Sequence, residues 1–208
     1  MAEIFSNILS QGIRAGQMPA RTAQARDWYR DQAKEVTRSS RNGTRADQLI
    51  REIRRDGDRP QRSTFRLGDM YLFTYDPKHK DKLPYYDRFP LIFPINKAKG
   101  GFLGINMHYL PPMLRAKLMD QLYTVTTNKR FDETTRLRLS YDILNGAAKF
   151  REFKPTIKHY LSAHVRTKPA YIYPSEWDVA LFLPTQKFVG ANATQVYADS
   201  RRIIRASR

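Results

Sequence analysis

The chain has 208 residues, 37 Lys and Arg against 20 Asp and Glu, and a formal charge of +17. Excess charge of one sign destabilises a compact state unless something anionic offsets it, so nucleic acid is the first partner to consider. There is no cysteine, which removes disulfides, thiolate zinc sites and cysteine nucleophiles together and suits a reducing compartment. With 11 Phe, 12 Tyr and 2 Trp the chain can build a core, yet no apolar run approaches the roughly 18–20 residues of a membrane span. The first residues have neither the basic start nor the apolar block of a signal peptide.

Taken in order, Ile4, Phe5, Ile8, Leu9 and Ile13 fall at helical spacing and form a short apolar stripe. Nothing near them in sequence covers it, so they are expected to dock on another subunit. A second helix is expected over 21–36, with Trp28, Tyr29 and Val36 on one face, before the turn Asn42-Gly43. A third follows from the N-cap candidate Thr44, with Leu49, Ile50 and Ile53 as its stripe, and residues 55–63 read as a linker.

The period then changes. Residues 67–75 alternate, Met70, Leu72 and Thr74 opposing Tyr71, Phe73 and Tyr75, as in a strand. Residues 89–95 form an apolar strand whose Pro90 and Pro94 confine it to a sheet edge or its ends. A third strand is expected over 101–110, after the turn Gly100-Gly101. Leu114, Leu118 and Leu122 mark a helix after Pro111-Pro112, and Leu137, Tyr141, Leu144 and Ala148 mark another over 134–150. Ile157, Tyr160, Leu161 and Val165 suggest one more helix. A short strand over 170–173 leads to a short helix closed by Pro184, with a strand as the alternative. The last helix, 194–206, sets Val196, Tyr197, Ile203 and Ile204 against Arg201, Arg202 and Arg205. The class is therefore α+β: a small antiparallel sheet packed with several helices, plus helical N- and C-terminal arms. The segments are a helical arm over 1–62, a compact aromatic-rich core over 63–190 and a basic C-terminal helix over 191–208.

The residues supply no evident catalytic constellation. There is no phosphate-cradling GxxxxGK[ST] loop and no HExxH, and the spacing in GGFLG does not suit dinucleotide binding. Asp142 with Glu152-Phe153-Lys154 resembles the acidic pair and lysine of many nucleases, but that chemistry needs carboxylates on adjacent strands and Asp142 falls mid-helix. His108 alternates with apolar residues and reads as a satisfied core or edge histidine. No enzyme, cofactor or metal is expected, and binding remains. In the 75–89 segment Lys78, His79, Lys80 and Lys82 form a basic loop suited to phosphates, beside Tyr85 and Tyr86, which either stack on exposed bases or pack in the core. Arg201, Arg202 and Arg205 offer a second basic face, for a phosphate backbone or another subunit.

Four blocks carry a resemblance: WYRDQAKEV, GDMYLFTYDPKHKDKLPYYDRFPLIFPI, GGFLGINMHYLPPMLRAKLMDQLY and YIYPSEWDVALFLPTQKF. In this order, over residues 26–202, they resemble the DNA end protector family, small virion proteins of T4-like myophages. The resemblance implies a virion protein, assembled in the host cytoplasm, that binds the double-stranded DNA genome end and shields it from host exonuclease. The alternative is a neck, connector or tail component that binds other virion subunits and touches DNA incidentally. Portal, neck or tail proteins would then be partners, a ring-forming homo-oligomer is a possible state, and no membrane is involved.

Overall fold

The structure, a computed structural model, describes residues 64–207 except 111, 127, 183 and 184. The apolar stripe from Ile4 to Ile13 and the two helices expected after it lie outside the described residues. The strands are β1 (Met70–Leu72), β2 (Tyr86–Asp87), β3 (Leu91–Ala98), β4 (Gly101–Asn106), β5 (Ile157–Leu161), β6 (Ala170–Ile172) and β7 (Phe188–Val189). Five of them form an antiparallel sheet in the order β5-β4-β3-β1-β6, and β2 pairs with β7 in a separate ribbon. The helices are α1 (Pro112–Thr126), α2 (Glu133–Ala147), α3 (Trp177–Phe182) and α4 (Ala193–Ala206). No described helix is long and apolar enough to cross a membrane.

The alternation read from residues 67–75 decides the two faces of the sheet, because successive strand side chains point to opposite sides. Met70 and Leu72 join Leu91, Phe93 and Ile105 on one face. There α1 contributes Leu118, Met119 and Leu122, α2 contributes Leu144 and Ala147, and α3 contributes Trp177, Ala180 and Leu181. The Trp177 indole meets Phe93 edge-on at 4.9 Å and donates its N–H to the Ile172 carbonyl at 3.1 Å, so its one polar atom is satisfied in the core. Tyr71, Phe73, Tyr75, Phe102, Tyr160 and Tyr171 form the other face, with Phe65 packed against them, and no helix residue belongs to that cluster. Phe102 and Tyr160 stack at 5.5 Å, and Phe65 lies 4.3 Å from Phe102.

Three expectations need correction. Residues 89–95 do not form an edge strand, since β3 lies at the centre of the sheet between β4 and β1. Pro94 is accommodated because β1 pairs with β3 only at Leu91 and Ile92, so no ladder N–H is required of Pro94 on that side, and the β3–β4 register shifts between Pro94 and Asn96. The Pro94 carbonyl accepts instead from the Gly68 N–H at 3.0 Å. Residues 157–161 form β5 rather than a helix, and residues 162–164 a 3-10 turn. The spacing of Ile157, Tyr160 and Leu161 is helical, but pairing with β4 overrides it, placing Phe102 opposite Tyr160. That pairing is tight: a Cβ on Gly101 would collide with the Tyr160 carbonyl. Finally, the three consecutive strands expected are joined by β5 and β6 at the two edges of the sheet.

The last helix begins at a capping box in which Asn192 and Gln195 each accept the other's backbone N–H, both at 2.9 Å. It packs on the 3-10 segments Met107–Tyr109 and Arg151–Thr156, burying Val196 and Ser200. Tyr197 and Ile204 are half-buried beside them, while Ile203 is 39% exposed and belongs to the solvent side.

Candidate nucleic-acid interface

Two basic segments far apart in sequence need a scaffold to hold them, and a buried polar network supplies it. Asp87 in β2 accepts hydrogen bonds from the Phe89 N–H at 3.1 Å, the Lys187 N–H at 3.3 Å and the Asn106 amide at 3.0 Å. His108 lies 2.7 Å from Asp87 through Nδ1 and 3.2 Å from the Thr185 hydroxyl through Nε2. Burial pushes the His108 pKa below the usual histidine range despite the carboxylate beside it. The neutral ring therefore donates from Nδ1 to Asp87 and accepts from Thr185 at Nε2. Burial alone would raise Asp87, but His108 and the donors of Asn106 and Phe89 outweigh it and hold the carboxyl below its ordinary value. The expectation of a satisfied core histidine for His108 is met.

Both groups bind protons less readily folded than unfolded, so stability is lost as the pH falls. The loss begins below about 6.5, where the unfolded histidine takes up a proton that the buried ring refuses, and deepens below about 4 for Asp87. The thermal midpoint is expected to fall between about pH 7 and 5, and His108→Gln is expected to flatten that fall while lowering the midpoint at pH 7. A midpoint profile measured in the two proteins checks this, and parallel slopes would refute it.

Arg115 of α1 anchors the C-terminal helix. Its guanidinium is buried and donates to the carbonyls of Leu110 and Leu181 at 2.8 Å each, to that of His108 at 3.3 Å and to the Tyr197 hydroxyl of α4 at 2.7 Å. The Ser200 hydroxyl donates to the Tyr109 carbonyl at 2.9 Å, a second tie one turn further along α4. At about 100° per residue, Arg201, Arg202 and Arg205 lie on the side away from the buried Val196, and all three are exposed.

Lys78, His79, Lys80 and Lys82 are exposed around the 3-10 turn Lys80–Lys82. The Lys80 ammonium lies 3.2 Å from the Asp76 carboxylate, so part of that loop's charge is already paired. Tyr86, half-buried, pairs with Val189 in the ribbon. Tyr85 is half-buried too, its ring 6.1 Å from Tyr109 and 6.4 Å from Phe188. Burial raises the Tyr85 pKa, and so do the charge and hydrogen bond of Asp199 on α4. Asp199 in turn holds Arg202 at 3.0 Å. The structure thus links α4 to Tyr85, three residues beyond Lys82, through Asp199 and Arg202.

Sequence reasoning missed two features. Phe150 is 63% exposed and stands among the exposed Lys149, Arg151 and Lys154, directly before the 3-10 segment on which α4 packs. Only its place in KFREFK hinted at it. Lys158 lies over the Tyr109 ring, its Nζ 4.2 Å from the centroid, and burial lowers its pKa. Asp142 is exposed on α2, while Glu152 bonds Arg151 at 3.0 Å. Among the described residues no group of three or more His, Asp or Glu is placed to hold a metal ion.

A family model described as phage T4 terminal DNA protecting protein matches residues 23–204. The chain belongs to that family. Neither a curated protein nor a solved structure matches it. The terminal DNA protecting family match takes in every described strand, the Lys78 to Lys82 loop, Arg201 and Arg202, while Arg205 and the stripe from Ile4 to Ile13 fall outside it.

Proposed function

We propose that this phage protein binds the end of the packaged double-stranded genome and shields it from host exonuclease, by occupying the end rather than by catalysis. The observation that supports the reading best is the junction of Tyr85, Asp199 and Arg202, which holds the chain three residues beyond the loop of Lys78, His79, Lys80 and Lys82 against the helix of Arg201, Arg202 and Arg205. A basic surface drawn from two distant segments suits a phosphate backbone, whose contacts position a protein without reading sequence. In this reading Tyr85 serves the scaffold, and Tyr86 lies beside it in the ribbon.

The test is protection itself. Linear DNA saturated with the protein is expected to resist a processive exonuclease while an endonuclease still cuts its interior. Binding is expected to weaken by tenfold or more between about 50 and 200 mM salt as counterions are released. Equal shielding of ends and interior, or affinity indifferent to salt, would overturn the reading.

The exposed Phe150 and Ile203 favour a second reading for part of this surface, docking on another virion subunit of the portal, neck or tail. Ile4, Phe5, Ile8, Leu9 and Ile13 belong to the same proposal, whether the neighbour is a different protein or a further copy in a ring.

A further inference from the structure

We propose that a cleft on the aromatic side of the sheet seats the terminal nucleotide of a DNA strand, with its phosphate on Lys97, Arg166 and Lys168. This rests on the end-binding function proposed above and gives it a specific pocket, separate from the surface of Lys78 to Lys82 and α4. The cleft has a volume of about 600 Å³ and is lined by those three cations and by Phe65 and Phe102, with no carboxylate among its lining residues. That volume lies within the roughly 300–1,000 Å³ of sites that enclose small ligands, so it has room for a nucleotide and none for a duplex.

Three like charges gathered at one opening repel each other unless an anion joins them. All three side chains are exposed. Lys97 and Lys168 make no ion pair among the described residues, and Arg166 has a long, exposed contact of 3.5 Å with Asp76. Their backbone is fixed. Lys97 stands opposite Phe102 in the β3–β4 ladder. The Arg166 N–H donates to the Thr74 carbonyl at 2.8 Å, and the Thr167 hydroxyl accepts the Thr74 N–H at 2.9 Å. An apolar floor under a cationic rim complements a base and sugar carrying a phosphate. Only the last nucleotide of a strand fits it, because an interior base is stacked on both sides whereas a terminal one frays at little cost.

The experiment compares two DNAs on the full chain: a covalently closed dumbbell duplex and the same sequence with one open, 5′-phosphorylated end. The wild-type protein is expected to favour the open end by about tenfold or more, a factor within reach of one seated base. The triple variant Lys97→Gln, Arg166→Gln, Lys168→Gln is expected to bring that ratio to about one, whatever general affinity it loses. A variant that keeps the ratio overturns the cleft alone, while a wild-type ratio of one overturns end recognition as a whole. A photoreactive base at the terminus gives an independent readout in the unsubstituted protein. Crosslinks to Phe65 or the 166–168 strap are expected, and crosslinks confined to other segments would overturn the assignment.

Discussion

Arg115→Met is expected to lower the unfolding free energy by about 3–5 kcal/mol, the scale of removing one partner from a buried charged network. Methionine keeps much of the length and apolar body of the side chain, so packing changes little. All of the donors go, however. The buried carbonyls of Leu110, Leu181 and His108 are deprived of the guanidinium, and so is the hydroxyl of the half-buried Tyr197. An unsatisfied buried polar group costs about 1–3 kcal/mol, and several are created at once. Arg115→Lys retains the charge but cannot reproduce a planar fork that reaches the Leu110 and His108 carbonyls, α3 and α4 together, so an intermediate destabilisation is expected. Urea unfolding of the three proteins checks the order. An Arg115→Met midpoint equal to wild type would show that α4 is held by Val196 and Ser200 alone.

Reversing charge at Arg201, Arg202 and Arg205 together is expected to weaken DNA binding by roughly a hundredfold at about 0.1 M salt. The slope of log affinity against log salt is expected to become shallower by about 0.9 for each phosphate that the variant no longer neutralises. All three side chains are exposed, so the thermal midpoint is expected to move little. The Asp199–Arg202 pair, with its arginine 78% exposed, contributes under about 1 kcal/mol. The same exchange at Lys78, Lys80 and Lys82 is expected to have a smaller effect. Each set has one paired cation, Lys80 with Asp76 and Arg202 with Asp199, but Asp81 lies within the Lys80–Lys82 turn and already dilutes its charge. Filter binding across a salt series separates the two variants. An unchanged slope in the arginine variant would remove α4 from the interface.

The sequence alone determined what depends on composition or on local period. A surplus of cations needs an anionic partner, and a chain without cysteine performs no thiol chemistry. The strand over 70–72 with its two faces, the helices α1, α2 and α4, and the arginine face opposite Val196 were all legible, because each is written in the spacing of neighbouring side chains. Tertiary structure decided the rest. Pro94 occupies a central strand because β1 pairs with β3 only at Leu91 and Ile92 and asks no ladder bond of it, which only the partner strand reveals. Residues 157–161 carry helical spacing, yet pairing with β4 makes them a strand. Arg115 looks like a solvent-facing helix residue until acceptors from Leu110, His108, Leu181 and Tyr197 close around it. His108 meets Asp87 and Thr185, and Tyr85 meets Asp199, across long stretches of chain. The cleft has the same origin, since Lys97, Arg166 and Lys168 gather only when β3 lies beside β4 and the strap after β5 is pinned to Thr74. Periodicity reports which way a side chain faces, but the partner it meets there is set by long-range strand pairing and helix packing.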